Sequence, residues 1–127
     1  NAQLPEGAAS NDFMVTENLL SQIHDILSED NGQLLIQSNC EDVAVHMRNV
    51  ATKTVGFQSV SVSHSVTSLD VVTQRAQRWV DKGGERAIGR FWSAVPLLPL
   101  CGRTETEVAC LLDGKPIHRC LLEVRRC

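Results

Sequence analysis

No apolar run in the 127 residues approaches the roughly 18 needed to cross a bilayer as a helix, and the opening NAQLPEGAAS has neither the basic start nor the apolar stretch of a signal peptide. Both absences argue against a membrane partner. The five cysteines, Cys40, Cys101, Cys110, Cys120 and Cys127, include no C-x-x-C pair, and His118 beside Cys120 is too little to make a zinc site. Structural or buried thiols in a reducing compartment, cytoplasm or nucleus, are the expectation, with no metal. Among the eight glycines there is no G-x-G-x-x-G and no G-x-x-x-x-G-K-[ST]. G-x-S-x-G and H-E-x-x-H are also missing, so no catalytic residue is assigned within this segment.

With 43% hydrophobic and 21% charged residues the composition is that of one soluble globular domain. The first residue is Asn1, and the expectation is a part of a larger protein. Charge is unevenly spread: the net value is −3, but residues 1–70 carry −7 and residues 71–127 carry +4. A basic second half points to a polyanionic partner on that side; the alternative is a solvated surface of mixed charge.

Residues 1–12 read as an irregular lead-in. Thr16 is placed to cap a helix whose apolar face is Leu19, Leu20, Ile23, Ile26 and Leu27, stopped by Asn31-Gly32. QLLIQS, residues 33–38, is long enough for a buried strand and too short for another helix. Glu41 and Asp42 open a second helix, where its dipole favours negative charge, with Val43, Met47, Val50 and Ala51 on one face and Gly56 closing it. His46 lies beside that stripe as a partly buried, satisfied side chain. Residues 57–64 alternate Val with Ser, as a half-exposed strand requires. After a linker over 65–72, Val72, Ala76, Trp79 and Val80 share one face of a short basic helix ended by Gly83-Gly84. The stretch to Pro99 shows no period and is expected to be a loop. VACLLDGKPIHRCLLEV, residues 108–124, reads as strand, turn at Asp113-Gly114, and a final strand from Ile117 to Val124.

The run NGQLLIQSNCEDVAVHMRNVA, residues 31–51, resembles the segment of tRNA (guanine-N7)-methyltransferases in which a Gly-ended helix leads to a strand, a polar turn and a helix with an H-M pair, here His46-Met47. Val95-Pro96, then Thr104-Glu105-Thr106-Glu107, then Gly114 and a last apolar strand, resemble that family's closing pattern, in which T-x-x-E precedes the final strand. Together the two stretches cover about half the chain. The resemblance implies an α/β fold: the C-terminal half of a Rossmann-like class I methyltransferase sheet, with flanking helices and a final antiparallel strand. It further implies a partial domain over 1–127 from an enzyme that moves a methyl group from S-adenosylmethionine to N7 of guanine in tRNA. The cofactor loop, the acid on the cofactor ribose and the reaction-centre motif precede this region in the family, so no tight cofactor binding is expected here.

Carried over residue by residue, the substrate-binding positions are Thr104 and Glu107, with Asn39 where the family has an aspartate and Cys40 where it often has an aromatic residue. A carboxylate such as Glu107 can accept from guanine N1 and N2 together. Thr73 to Arg78 (TQRAQR) also resembles the family's T-x-x-E-x-R, with Ala76 in place of the glutamate; the placement at Thr104 is preferred because the terminal strand follows it. Residues 66–92 then form an insertion whose Arg75, Arg78, Lys82, Arg86 and Arg90 are the expected RNA phosphate contacts. The alternative function is a non-catalytic RNA- or protein-binding module derived from the same fold. An exposed edge at strand 33–38 leads to the expectation of a homodimer or other self-association, and a partner subunit remains open.

Overall fold

Thr16 caps the first helix as its spelling requires: its Oγ1 accepts from the Leu19 amide at 3.2 Å, and helix α1 runs Glu17–Asp30 to Asn31, which ends it in the left-handed region at φ 55°. The computed structural model describes residues 16–98 and 105–126. The lead-in 1–12, Cys101, Thr104 and Cys127 lie outside the described residues. After α1 come β1 (Gln33–Ser38), α2 (Glu41–Val50), a π-helical segment Ala51–Val55, β2 (Phe57–Val60), β3 (Ser65–Val66), α3 (Gln74–Asp81), β4 (Gly89–Ser93), α4 (Glu105–Asp113) and β5 (His118–Val124).

Three expectations need correction. The alternating run 57–64 is a strand only to Val60, after which the chain bends away from β5, and Val62 donates to the Arg90 carbonyl at 2.9 Å. The stretch before Pro99 is not all loop, because GRFWS forms β4. Five residues are too few for a period to declare itself, and the pairing that makes β4 a strand is tertiary. The apolar run before Asp113 is helix α4, not a strand. A short apolar run suits either state. Leu112 is accordingly 83% exposed while Cys110 is buried.

The five strands form one sheet in which every hydrogen-bonded pair is antiparallel. β5 is its axis. One edge of β5 pairs with β1 from Gln33↔Glu123 to Ser38↔His118; the other takes β2 from Phe57↔Val124 to Val60↔Leu121 and then β4 at Trp92↔Cys120 and Ser93↔Arg119. β1 and β2 therefore run parallel to each other, joined by the α2 crossover and separated by β5. One face of these pairings contributes to the core: Ile36 opposes Cys120, Leu34 opposes Leu122 and Phe57 opposes Val124, joined by Leu20 of α1, Ala44, Val45 and Met47 of α2, and Trp79, Ala87 and Trp92. Residues 66–92 are thus built into the body. The expected face of α1 is only partly used, since Leu20 is buried while Leu19 and Ile26 stay exposed.

Gly56 closes the second helical stretch at φ 109°, its amide donating to the Ala51 carbonyl, and the Arg125 amide returns to the Gly56 carbonyl at 2.9 Å, locking the C-terminal end of the chain to the helix stop. Leu122 has no exposed surface. Truncating it to Ala is expected to cost about 3 kcal/mol, from lost transfer energy and the cavity left behind, whereas Leu112→Ala should stay within about 0.5 kcal/mol. Urea denaturation of the two variants checks this; equal costs would contradict the placement of β5 as the sheet's axis.

Candidate functional site

At the carboxyl end of β1 the chain turns through Asn39 and Cys40 into α2, and the Cys40 amide donates back to Ser38 Oγ at 3.1 Å. Glu41 and Asp42 follow in the first turn, 5% and 2% exposed. Two buried carboxylates need partners, and each finds an arginine. Glu41 Oε2 accepts from Arg86 Nε at 2.8 Å and from the Ala87 amide at 2.7 Å. Both Asp42 oxygens accept from Arg75 Nε, at 3.0 and 3.1 Å, and Arg75 Nη2 lies 3.0 Å from Oδ2. Further along α2, Arg48 pairs with Glu85, whose carbonyl accepts from Trp79 Nε1 at 2.8 Å. These contacts strap α3 and the segment before β4 onto α2.

Residues of this strap line a cleft of about 240 Å³. Its described lining comes from the β1–α2 turn (Asn39, Cys40, Glu41, Asp42), from α3 and the residues before it (Leu69, Val72, Thr73, Arg75, Ala76), and from Arg86, Cys110, Lys115, Pro116 and His118. Asn39 is exposed on the rim, and its Oδ1 accepts from Cys40 Sγ at 3.8 Å. Thr73 caps α3, accepting from the Ala76 amide at 3.0 Å. Glu107 lies in the first turn of α4, one turn ahead of Cys110, while Thr104 lies outside the described residues. Thr73 thus lines the cleft, and α4 borders it through Cys110.

The expected phosphate contacts divide. Arg75 and Arg86 turn inward onto Asp42 and Glu41. Arg78 and Lys82 are exposed on α3 around Trp79, the Lys82 ammonium 5.2 Å from the indole ring, and Arg90 is exposed on β4 with its guanidinium 4.7 Å from the Phe91 ring. Among the described residues no group of three His, Cys, Asp or Glu side chains could hold a metal ion. The described cysteines, Cys40, Cys110 and Cys120, are free thiols; burial pushes Cys120 up to about 12 and raises Cys40, against the pull of Arg75. Neither Cys40 nor Cys120 is thereby an activated nucleophile.

His118 is the cleft residue that the linear pattern did not bring forward. Its signal was its parity: it shares the face of Cys120 and Leu122, which turns the imidazole inward. His118 and His46 are 6% and 8% exposed, and burial holds both rings below the ordinary value of 6.5, although Glu41 pulls His118 the other way. The unfolded chain therefore takes up these protons first as pH falls through 6.5, and the histidine contribution, complete above that value, is lost below it. The thermal unfolding midpoint is expected to drop between pH 7 and pH 5.5, less so in His118→Phe; an unchanged midpoint would contradict the buried neutral rings. No family model, no curated protein and no solved structure matches this chain, so the chemistry of the cleft has to carry its assignment.

Proposed function

We propose that the chain is the C-terminal part of a class I methyltransferase that transfers a methyl group from S-adenosylmethionine to N7 of guanine in tRNA, with the cleft at the end of β1 as the corner that receives the base. One observation carries this reading: two mutually parallel strands, β1 and β2, joined by a helical crossover and split by the last strand running antiparallel between them, with a cleft at the carboxyl end of β1. Ligands of open α/β sheets gather outside the carboxyl ends of strands. The likeness of residues 31–51 and of the closing segment to tRNA (guanine-N7)-methyltransferases supports the same choice, because Asn39, the match to that family's aspartate, stands on the rim.

The residues present do not fit the cofactor. At about 240 Å³ the cleft is smaller than sites for drug-sized ligands, and the sequence has no glycine-rich phosphate-type cradle. S-adenosylmethionine belongs to an upstream part of the parent, and this segment's share is alignment: guanine N7 carries its own lone pair, so holding the base at the right angle is what the protein must supply. Arg78, Lys82 and Arg90 are the exposed cations for tRNA phosphates, while Arg75 and Arg86 hold the cleft's shape. A non-catalytic RNA- or protein-binding module is favoured by one feature, the neutral Asn39 at the aspartate position.

In the full-length parent, Glu107→Ala is expected to lower formation of N7-methylguanosine in tRNA at least tenfold with little change in melting temperature, and the 127-residue chain alone should show no saturable micromolar binding of S-adenosylmethionine by calorimetry. Normal turnover in the variant would remove Glu107 from the site; micromolar cofactor binding by the chain would overturn the division of labour. The outer edge of β1 is unpaired among the described residues, and Leu19 and Ile26 are exposed on the neighbouring α1, so we propose that the isolated chain self-associates. Sedimentation at micromolar concentration should show a dimer or larger species; a 14.0 kDa species alone contradicts it.

A further inference from the structure

The sheet ends on one side at β1, whose outer edge meets no described strand. Of the strands paired on one side alone, β1 is the longest, with six residues against four in β2 and two in β3, and the β3 pairing is further broken by a register shift. An edge of that length is a template for another strand unless charge, proline or a bulge blunts it. QLLIQS carries neither charge nor proline, and its register with β5 runs unbroken. Residues 1–70 carry −7 in total, so this uncharged strand is where two copies can meet without setting like charges against each other. Its order is also a chemical palindrome. From Gln33 to Gln37 the strand reads QLLIQ, the same side-chain classes in both directions about Leu35.

We propose that β1 is the two-fold junction of a homodimer, pairing antiparallel with β1 of a second copy so that Leu35 faces Leu35 across the axis. The inference rests on the self-association proposed above, adds to it the surface and the register, and is independent of the chemistry assigned to the cleft. A two-fold axis perpendicular to the sheet keeps every side chain on its own face, and directly opposed residues of neighbouring strands share a face, so odd positions meet odd and even meet even. The even positions Leu34 and Ile36 stand opposite Leu122 and Cys120 on the core face, and Gln33, Leu35 and Gln37 stand on the other. Centred on Leu35, the pairing sets Leu34 against Ile36 of the second copy and Gln33 against Gln37 of the second copy, each contact made twice by symmetry. Apolar side chains meet apolar ones, extending the core face across the axis, and carboxamide meets carboxamide, each able to donate and accept. Moving the axis to Leu34 or to Ile36 would instead set Leu35 against a glutamine, Gln33 or Gln37. β1 has one open side, so the assembly closes at two copies.

The test is sedimentation equilibrium of the full 127-residue chain across micromolar concentrations, with backbone hydrogen exchange followed by mass spectrometry at both ends of that range. A species of twice 14.0 kDa should form, and exchange in the β1 peptide should slow at the high concentration while α3 peptides stay unchanged. Two variants read the register. Gln33→Glu with Gln37→Glu in one chain sets like charges against each other at both ends of the junction and should weaken dimerisation about tenfold, whereas Gln33→Lys with Gln37→Glu sets opposite charges there and should restore it to within about threefold of the wild type. Equal effects of the two variants, or species larger than a dimer, would overturn the proposal; wild-type exchange decides even if the variants fail to fold. A dimer whose β1 exchange is independent of concentration would remove this junction alone and leave self-association on another surface. A 14.0 kDa species alone at every concentration would remove both, and slow β1 exchange in that species would give the edge to a segment of the same chain.

Discussion

β5 has to enter a gap between two strands that run parallel to each other, and the rest of the structure depends on its doing so. One edge of β5 satisfies the backbone of β1 and the other satisfies β2 and β4, while Cys120, Leu122 and Val124 fill the core from the same strand. The residues it joins are far apart in sequence, Leu34 meeting Leu122 and Phe57 meeting Val124. Closing such long loops costs entropy before any contact compensates for it. The same insertion places the start of β5, and His118 with it, at the mouth of the β1–α2 turn.

Around that mouth, electrostatics rather than apolar packing decides the shape. Glu41 and Asp42 sit where the helix dipole favours them, but burial would be costly without Arg86 and Arg75. Each arginine comes from a different part of the 66–92 region, so the two ion pairs anchor that region at two points. An interaction that satisfies buried charge also removes those arginines from the surface. Basic character in the second half of the chain consequently divides between cations that build the cleft and cations, Arg78, Lys82 and Arg90, that face solvent.

Much of this was legible in the residues. The cap at Thr16, the stop at Asn31, the strand 33–38, the acidic start of α2 and the left-handed Gly56 are local features, governed by chemistry within a few residues, and they stand where the spelling put them. The misread elements share one trait: their state is not spelled by their own residues. β4 becomes a strand because β5 and β3 lie beside it, and the five apolar residues 108–112, which suit a helix or a strand equally, are helical in the folded chain. Of the residues that line the cleft, Asn39 and Thr73 had been singled out by the sequence. His118 and the Arg75 and Arg86 pairings were not, since a histidine's partners and an arginine's direction are tertiary facts.

If the carboxyl end of β1 is the corner that receives the base, chemistry carried by the base should mark it. Transfer RNA carrying 6-thioguanosine, irradiated in complex with the parent protein and digested, identifies the peptide that the base touches. The account predicts adducts within residues 69–76 or 110–118, the two walls of the cleft. Adducts confined to α1 or to the β3–β4 edge would contradict it and place the nucleic acid on another surface of the sheet.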